Sequence, residues 1–265
     1  MIVNNACKIS ASMTTESVRC CAFIQARTGS ARLPGKVLLR LSGEPLISHC
    51  IKASTRAEAI DRVVLCTSTL EQDDVLEDIA TKHQVACFRG SHDDVLRRFL
   101  DAHESFPSDH IVRLTGDDPL LDSKVIDKVI KAHIRSEFDY TSNIISRTWP
   151  RGLDTEVFTS NLLKVSADKG IRPEDREHVT IFARTHPEIF RLQNISAPHY
   201  QTFPNWRLCV DTIDDYKLMS NIFDQLSSDK GYIEIDDVIQ LLSKRMDLIE
   251  LNNQVEQKQT LGKVF

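Results

Sequence analysis

Aromatic residues, long apolar runs and an excess of positive charge are all scarce or missing in this 265-residue chain. Phe, Trp and Tyr make up 6% of the residues, and the formal net charge is -5. No apolar run approaches the roughly 18 residues that a membrane-spanning helix needs. The acidic balance argues against a general binder of nucleic acid or anionic membranes, because such proteins carry a strongly basic surface. We therefore expect neither of these as a partner.

The seven cysteines are scattered and form no C-x-x-C pair, so the usual pattern of a zinc or thioredoxin-like site is missing. Their odd number favours reduced thiols that pack as small apolar side chains. Residues 1–18 hold one basic residue, Lys8, before Glu16, and lack the continuous apolar segment of a secretory signal. We predict a cytoplasmic protein with a flexible N-terminal extension over 1–18.

Short β-rich segments alternate with helical periodicity from Cys20 onward, which is typical of β-α-β units around a mainly parallel sheet. The first predicted strands are Cys20–Gln25, 62–67, 85–88 and His110–Thr115. After about Phe138 the pattern becomes less regular, with possible strands at 140–143, 153–158, 190–195 and 206–210, and helices at 161–168, 176–185 and 235–243. The prediction is an α/β fold with a mainly parallel or mixed central sheet, flanking helices and a polar tail over 251–265, frayed from Asn252.

Residues 20–43 contain no Asp or Glu but carry four basic residues, Arg27, Arg32, Lys36 and Arg40. Their loop, Q-A-R-T-G-S-A-R-L-P-G-K, follows the first predicted strand, where open α/β sheets bind ligands. Glycines allow backbone N–H groups to approach an anion, and Arg and Lys add charge. Five residues separate Gly29 from Gly35 and Val37 follows Lys36, so this is not a Walker loop, and G-x-G-x-x-G is absent from the chain. We predict a phosphate-binding loop, with a solvated basic loop as the alternative.

Carboxylates follow two of the predicted strands. Asp117 and Asp118 come after His110–Thr115, and Asp211 follows the last predicted strand. Ends of parallel strands can bring such groups to one rim, where a hard cation such as Mg²⁺ would accept one or two carboxylates, phosphate oxygens and water. Helix N-capping is the alternative for Asp211 and the preferred role of Asp122.

Six stretches together resemble the cytidylyltransferase family that makes CMP-activated sugar acids, and most closely its spore coat polysaccharide biosynthesis protein F branch. They read Q-A-R-T-G-S-A-R-L-P-G-K-V-L (25–38), F-R-G-S-H-D-D-V-L-R-R (88–98), R-L-T-G-D-D-P-L-L-D (113–122), G-L-D-T-E-V-F (152–158), R-E-H-V-T (176–180) and V-D-T-I-D-D (210–215). They occur in family order across about 190 residues. The first stretch is the most specific.

The resemblance implies a type-A glycosyltransferase-like nucleotidyltransferase fold, a requirement for CTP and Mg²⁺, and a homodimer. It places the nucleotide on Arg27, Gly29, Ser30, Arg32, Lys36, Thr67, Ser91 and Thr115, with Thr67 and Ser91 towards the base. It assigns the metal to Asp117 and Asp211, which with Arg27 and Lys36 form the expected catalytic set. Glu156, Arg176, Glu177 and His178 fall in stretches typical of the branch, where acceptor binding and a dimer contact are both open. For His178, a general base and a structural role are the two readings.

The predicted reaction transfers CMP from CTP to an anionic sugar and releases pyrophosphate, for surface polysaccharide or glycan synthesis. The corresponding organisation is one nucleotidyltransferase domain over 19–250, with a nucleotide-binding part (19–137), an acceptor or dimer part (138–205) and a return to the core (206–250). Two alternatives remain. A glycosyltransferase on a similar fold usually holds its metal with D-x-D, a spacing that this chain lacks. A non-catalytic nucleotide-binding protein should have lost the basic loop or one of the acidic strand ends.

Overall fold

A mixed sheet forms the centre of the protein. The computed structural model describes residues 19–227 and 231–257, so the extension predicted over 1–18 lies outside the described residues. The strands are β1 (Cys20–Gln25), β2 (Arg40–Leu41), β3 (Glu44–Pro45), β4 (Arg62–Ser68), β5 (Ala86–Gly90), β6 (His110–Thr115), β7 (Tyr140–Ser142), β8 (Glu156–Thr159) and β9 (Leu192–Asn194). Seven of them form one sheet in the order β5-β4-β1-β6-β8-β7-β9, and β2 pairs with β3 as a separate hairpin.

Only β8 runs against its neighbours in the seven-stranded sheet, because its pairings with β6 and β7 are antiparallel while all the other pairings are parallel. In the centre, Gln25 of β1 lies opposite Thr115 of β6. The loops that follow these two strands therefore start at the same level on the carboxyl edge of the sheet. This register brings the basic loop and the Asp117 loop together.

Helices cover both faces of the sheet. They are α1 (Leu46–Arg56), α2 (Asp74–Lys82), α3 (Val95–Ser105), α4 (Ser123–Ile134), α5 (Ser160–Lys169), α6 (Pro173–Glu177), α7 (Ile181–Thr185), α8 (Ile213–Leu226), α9 (Ile235–Lys244) and α10 (Met246–Ile249). Alternate residues of β1 enter two separate apolar cores: Ala22 and Ile24 pack with α1, α4, α8 and α9, whereas Cys21 and Phe23 pack with α3, α5 and α7. The alternation follows from the two-residue period of a strand. No helix in the described ranges is long and apolar enough to cross a membrane.

The predicted α/β class is confirmed, and three local predictions are corrected. Segment 206–210 is not a strand. Arg207 makes an isolated bridge to Arg151, and the Val210 N–H donates to the Asp117 carbonyl. The segment therefore contacts two different partners and forms no continuous strand pairing with either. The helix expected over 176–185 is broken into α6 and α7, because the β-branched Val179 has φ 53°, outside the helical region. The polar tail was predicted to be frayed from Asn252 onward, but Asn252 is buried.

A buried histidine, His133, beside the half-buried His110 predicts a pH-dependent stability. His133 on α4 hydrogen-bonds Thr141 and, at 3.1 Å, the ring of His110. Burial, followed by the neighbouring His110, lowers the pKa of His133 to about 4. An unfolded chain would protonate this ring near pH 6.5, so its contribution is complete above that pH and is lost as the pH falls towards 4.

We expect the free energy of unfolding to be about 2 kcal/mol lower at pH 5 than at pH 7 on account of His133 alone. Urea denaturation of the wild type and of His133→Gln at both pH values measures this contribution. The variant should show a drop smaller by about that amount. Equal drops in the two proteins would assign the pH dependence to other groups.

Candidate active site

A cavity of about 730 Å³ opens at the carboxyl edge of the sheet. Its size falls within the range of about 300–1,000 Å³ that is usual for small-molecule sites. Four segments contribute most of its wall: the loop after β1, the loop after β6, the stretch between β7 and β8, and the stretch from the end of α6 into α7. Cys209 and Asp211 complete it from the segment before α8. Ten of the site residues predicted from sequence line this cavity, namely Arg27, Ser30, Arg32, Lys36, Thr115, Asp117, Glu156, Glu177, His178 and Asp211.

The basic loop is anchored beside the cavity by a buried carboxylate. Asp73 accepts hydrogen bonds from the Thr28 N–H at 2.8 Å and from its hydroxyl at 2.6 Å. Gly35 has φ 68°, a left-handed conformation that favours glycine, and its N–H closes the loop onto the Thr28 carbonyl at 2.9 Å. A Cβ on Gly29 would lie 2.9 Å from the side chain of Gln72, so this glycine permits close packing. The loop therefore presents Arg27, Ser30, Arg32 and Lys36 from a fixed base.

Lys36 connects the basic loop to both predicted metal carboxylates. Its Nζ lies 2.5 Å from Asp117 Oδ2 and 2.8 Å from Asp211 Oδ1, and its side chain is 11% exposed. Burial lowers the pKa of Lys36, but the two carboxylates outweigh it and raise the pKa above the ordinary lysine value. Arg32 Nη2 lies 2.8 Å from the other oxygen of Asp211. Residues far apart in sequence thus form one charged cluster, as predicted for the two carboxylates.

Asp211 is oriented by a group of buried side chains. Arg207 Nη2 lies 2.6 Å from Asp211 Oδ2, and Arg207 Nε lies 2.8 Å from Asp215 Oδ1. Asp215 also accepts from the backbone N–H of Asp211 at 3.0 Å. From the C-terminal segment, Asn252 donates to Asp215 at 2.9 Å, and the side chain of Gln257 accepts from Arg207. We call Arg207, Asp215 and Asn252 the Asp211 clamp.

Burial raises the pKa of Asp211, but Lys36, Arg207 and Arg32 outweigh it and lower the pKa to about 2. The neighbouring carboxyl on the other loop behaves in the opposite way. Asp118 is buried, and burial together with the charge of Asp117 raises its pKa well above the ordinary value. Its Oδ2 accepts a hydrogen bond from Thr115 Oγ1 at 2.5 Å. Of the two adjacent aspartates, Asp117 is therefore the one available to a cation.

Glu156 holds together another part of the cavity wall. It is 2% exposed and pairs with Arg113, while its Oε2 accepts from Tyr140 Oη at 2.6 Å and from Thr180 Oγ1 at 2.5 Å. Burial raises the pKa of Glu156, but Arg113 and Arg184 outweigh this and hold it below its usual value. These partners occupy its oxygens, so Glu156 orients its neighbours.

Three arginines of the cavity wall were not identified from the sequence. Arg147 is paired with Asp154 through two bonds of 2.6 and 2.7 Å. Arg151 and Arg184 also line the cavity, and neither forms a salt bridge with any residue of 19–227 or 231–257. Burial, followed by the charge of Arg147, lowers the pKa of Arg151. Half-buried arginines without a carboxylate partner favour an anion from outside the protein. The sequence signal was faint, because all three lie outside the quoted motifs, Arg147 and Arg151 before 152–158 and Arg184 on the short helix α7 after 176–180.

Four predicted residues lie outside the cavity wall. Gly29 packs on Gln72, Thr67 is buried on β4, and Ser91 accepts from the Asp94 N–H at 3.1 Å in the turn before α3. Arg176 faces away: its Nη2 lies 2.5 Å from Asp94 Oδ2, and its Nη1 donates to the carbonyl of Ala167 at 3.0 Å. His178 remains at the wall, where burial, partly opposed by the charge of Glu177, lowers its pKa and favours the neutral ring.

These contacts predict that Arg176→Met destabilises the fold without weakening acceptor binding. The side chain ties α6 to the start of α3 and to the end of α5, and losing such charge-assisted bonds costs about 2 kcal/mol. Thermal unfolding and the acceptor KM are the two measurements. Lys169→Met, an exposed change at the end of α5, is the control and should alter neither. A large rise in the acceptor KM with unchanged stability would instead support Arg176 as an acceptor-binding residue.

A family model described as cytidylyltransferase matches residues 21–259. Spore coat polysaccharide biosynthesis protein SpsF of Bacillus subtilis is 36% identical over 230 residues, a match that covers 85% of this chain and 94% of that protein. Among solved structures, a cytidylyltransferase from Leptospira borgpetersenii superposes with a TM-score of 0.83 at 31% identity and covers 92% of this chain and 99% of that one.

A more distant structure has the same fold. CMP:2-keto-3-deoxy-manno-octonic acid synthetase, solved in complex with CTP, superposes with a TM-score of 0.61 at 16% identity and covers 78% of this chain and 99% of that chain. At this identity the likeness supports the nucleotidyltransferase fold alone.

Proposed function

This chain belongs to the cytidylyltransferase family, and from that premise we propose that it transfers CMP from CTP to an anionic, sugar-acid-like acceptor and releases pyrophosphate. It is a CTP-dependent nucleotidyltransferase. The observation that carries the finer proposal is the cluster in which Lys36 of the basic loop lies between Asp117 and Asp211, in a cavity whose wall also holds Arg151 and Arg184.

In this proposal the triphosphate lies along the basic loop. Arg27, Arg32 and Lys36 would offset the negative charge that accumulates on the departing pyrophosphate, and the Ser30 hydroxyl would donate to a phosphate oxygen. A hydroxyl oxygen of the acceptor forms a bond to the α-phosphorus in line as the bond from that phosphorus to the bridging oxygen breaks. The protein's contribution is mainly positioning and charge neutralisation.

The metal that we propose is Mg²⁺, held by Asp117 and Asp211. The fit rests on the fact that the two carboxylates already share one cation, the Lys36 ammonium, within 2.8 Å. No group of three or more His, Cys, Asp or Glu side chains in the described ranges could hold a metal ion, so this site offers two protein carboxylates only. Two carboxylates suit Mg²⁺ when phosphate oxygens and water complete its shell. When bound, the ion would neutralise phosphate charge and lower the pKa of the acceptor hydroxyl.

For the acceptor, we propose that Arg151 and Arg184 bind its acid group. Both side chains line the cavity, and a carboxylate matches the fork of a guanidinium. Glu177 and the neutral His178 at the same wall supply hydrogen-bond acceptors for sugar hydroxyls. Thr67 and Ser91 stay proposals as contacts towards the base. A cytoplasmic homodimer is part of the same proposal, and analytical ultracentrifugation tests the dimer.

The reaction is tested by pyrophosphate release from CTP and Mg²⁺ across a panel of sugar acids and their neutral sugar counterparts. Turnover is expected with at least one sugar acid, and replacing CTP by UTP should reduce it. Lys36→Ala should lose most of the activity. Calorimetric binding of CTP with no turnover on any acceptor would instead support a non-catalytic nucleotide-binding protein.

A further inference from the structure

The Lys36 ammonium occupies the position between Asp117 and Asp211 that a shared metal ion would take. It contacts one oxygen of each carboxylate, at 2.5 and 2.8 Å. A lysine ammonium is a compact point charge on a flexible stem, so it can serve as the counter-ion of both groups and can also move away. The same atoms therefore have two possible cationic partners.

The charges of the cluster balance without a metal. Lys36 and Arg32 face Asp117 and Asp211, and Arg207 faces Asp215 in the Asp211 clamp. A divalent cation entering alone would add two positive charges beside three cationic side chains. The repulsion from these side chains opposes the attraction of the carboxylates. The protein without nucleotide should therefore bind a divalent cation weakly.

A triphosphate changes this balance, since it brings several negative charges to the same end of the cavity. Lys36 and Arg32 both line that end with Arg27, and the Arg32 side chain is already 30% exposed. Phosphate oxygens compete directly with the carboxylates for these two side chains. Once the side chains move to the phosphates, Asp117 and Asp211 lose their cationic partners on the cavity side, while Arg207 still holds Asp211 from behind.

We propose that Lys36 and Arg32 are exchangeable counter-ions that keep the Asp117–Asp211 pair closed to a divalent cation until the triphosphate of CTP draws them away. Metal binding is then coupled to nucleotide binding, with Lys36 serving first as a substitute for the metal and then as a phosphate ligand. This inference rests on the proposed function, because it takes CTP and a divalent metal as the partners of the cavity.

The first test measures Mn²⁺ binding to the full chain without nucleotide, by electron paramagnetic resonance of the free ion. Lys36→Met is expected to bind Mn²⁺ at least about 10-fold more tightly than the wild type, because one positive charge beside the two carboxylates is gone. Arg32→Met, at a more exposed position, should show a smaller gain and serves as the second variant if Lys36→Met does not fold. Lys52→Met is the matched control, since Lys52 pairs with Glu44 away from the cavity and its loss should change nothing.

The second test adds CTP to the wild type and measures water proton relaxation by Mn²⁺. Relaxation is expected to rise above that of the Mn²⁺–CTP complex only when protein and CTP are both present, and Asp211→Asn should remove the rise. The inference is overturned if the wild type binds Mn²⁺ without CTP as tightly as Lys36→Met does. It is also overturned if the folded Lys36 and Arg32 variants bind no more tightly than the wild type.

These measurements need no acceptor and no turnover, so they are separate from the proposed reaction. Failure of every acceptor in the pyrophosphate assay would reject the reaction while the cation exchange could still be observed. Conversely, turnover on a sugar acid with tight Mn²⁺ binding by the nucleotide-free wild type would reject the exchange alone.

Discussion

Replacing Asp211 by Asn is expected to lower the rate of pyrophosphate release by about 10²–10³-fold, the range found when one preorganised charge-stabilising group is removed from an active site. Asn keeps the size of the side chain but removes the negative charge that faces Lys36 and Arg32 at 2.8 Å. One of the two carboxylates proposed for the metal is then gone, and three cations lose their common partner. The measurement is kcat with CTP, Mg²⁺ and the best acceptor of the panel.

Asp214→Asn provides the matched control for this prediction. Asp214 lies three residues further along the same segment, in the first turn of α8, and its partly exposed carboxylate pairs with Lys217. The charge change is identical, so a general electrostatic effect would appear in both variants. We expect Asp214→Asn to keep wild-type turnover. If the two variants lose activity equally, or if neither does, the assignment of Asp211 fails.

The second large effect is expected for the acceptor end of the cavity. Arg184→Gln should raise the acceptor KM by about 10–100-fold, because a hydrogen bond to a charged group contributes about 1.5–3 kcal/mol. The KM for CTP should change little, since Arg184 lies on α7 and not on the basic loop proposed for the triphosphate. Steady-state kinetics with each substrate varied in turn separates the two constants. Arg151→Gln is expected to act in the same way.

Two comparisons make this prediction specific. Arg191→Gln removes an exposed arginine that pairs with Glu137 outside the cavity, and it should leave both KM values unchanged. An acceptor whose acid group is converted to an amide should bind wild type and Arg184→Gln with similar, weak affinity, because the charge that Arg184 recognises is missing. If Arg184→Gln weakens binding of the amide as much as binding of the acid, Arg184 has a structural role.

The centre of the fold was predictable because its residues carry strong local patterns. The predicted bounds of Cys20–Gln25 and His110–Thr115 are those of β1 and β6. Their apolar residues alternate between two buried faces, and the polar residues Gln25, His110 and Thr115 mark strand ends. The basic loop and Asp117 followed from their positions after these strands. Their approach to Asp211 was predicted from a strand over 206–210 that the structure does not contain, and the bond from the Val210 N–H to the Asp117 carbonyl brings Asp211 there instead.

Other features depend on tertiary contacts that no local pattern records. Trp206, Leu208 and Val210 alternate like a strand and are buried, but their backbone pairs with two separate loops. Val179 adopts a left-handed conformation that its own side chain disfavours, and this break ends α6 and places Thr180 against Glu156. The proposal for Arg151 and Arg184 rests on their forming no salt bridge within 19–227 and 231–257, which appears only once the chain is folded.

The reversed strand β8 joins the two parallel parts of the sheet, with β6 on one side and β7 on the other. The basic loop and Asp117 follow strands of the parallel part, whereas Arg151 and Arg184 lie on segments that enter and leave the β8 region. Because β8 pairs with β6 and Glu156 pairs with Arg113, changes between 143 and 184 would spare β6 only where they leave Glu156–Thr159 in place. Under the proposed function, chimaeras that keep β8 and exchange the segments on either side of it are the direct route to new acceptor ranges.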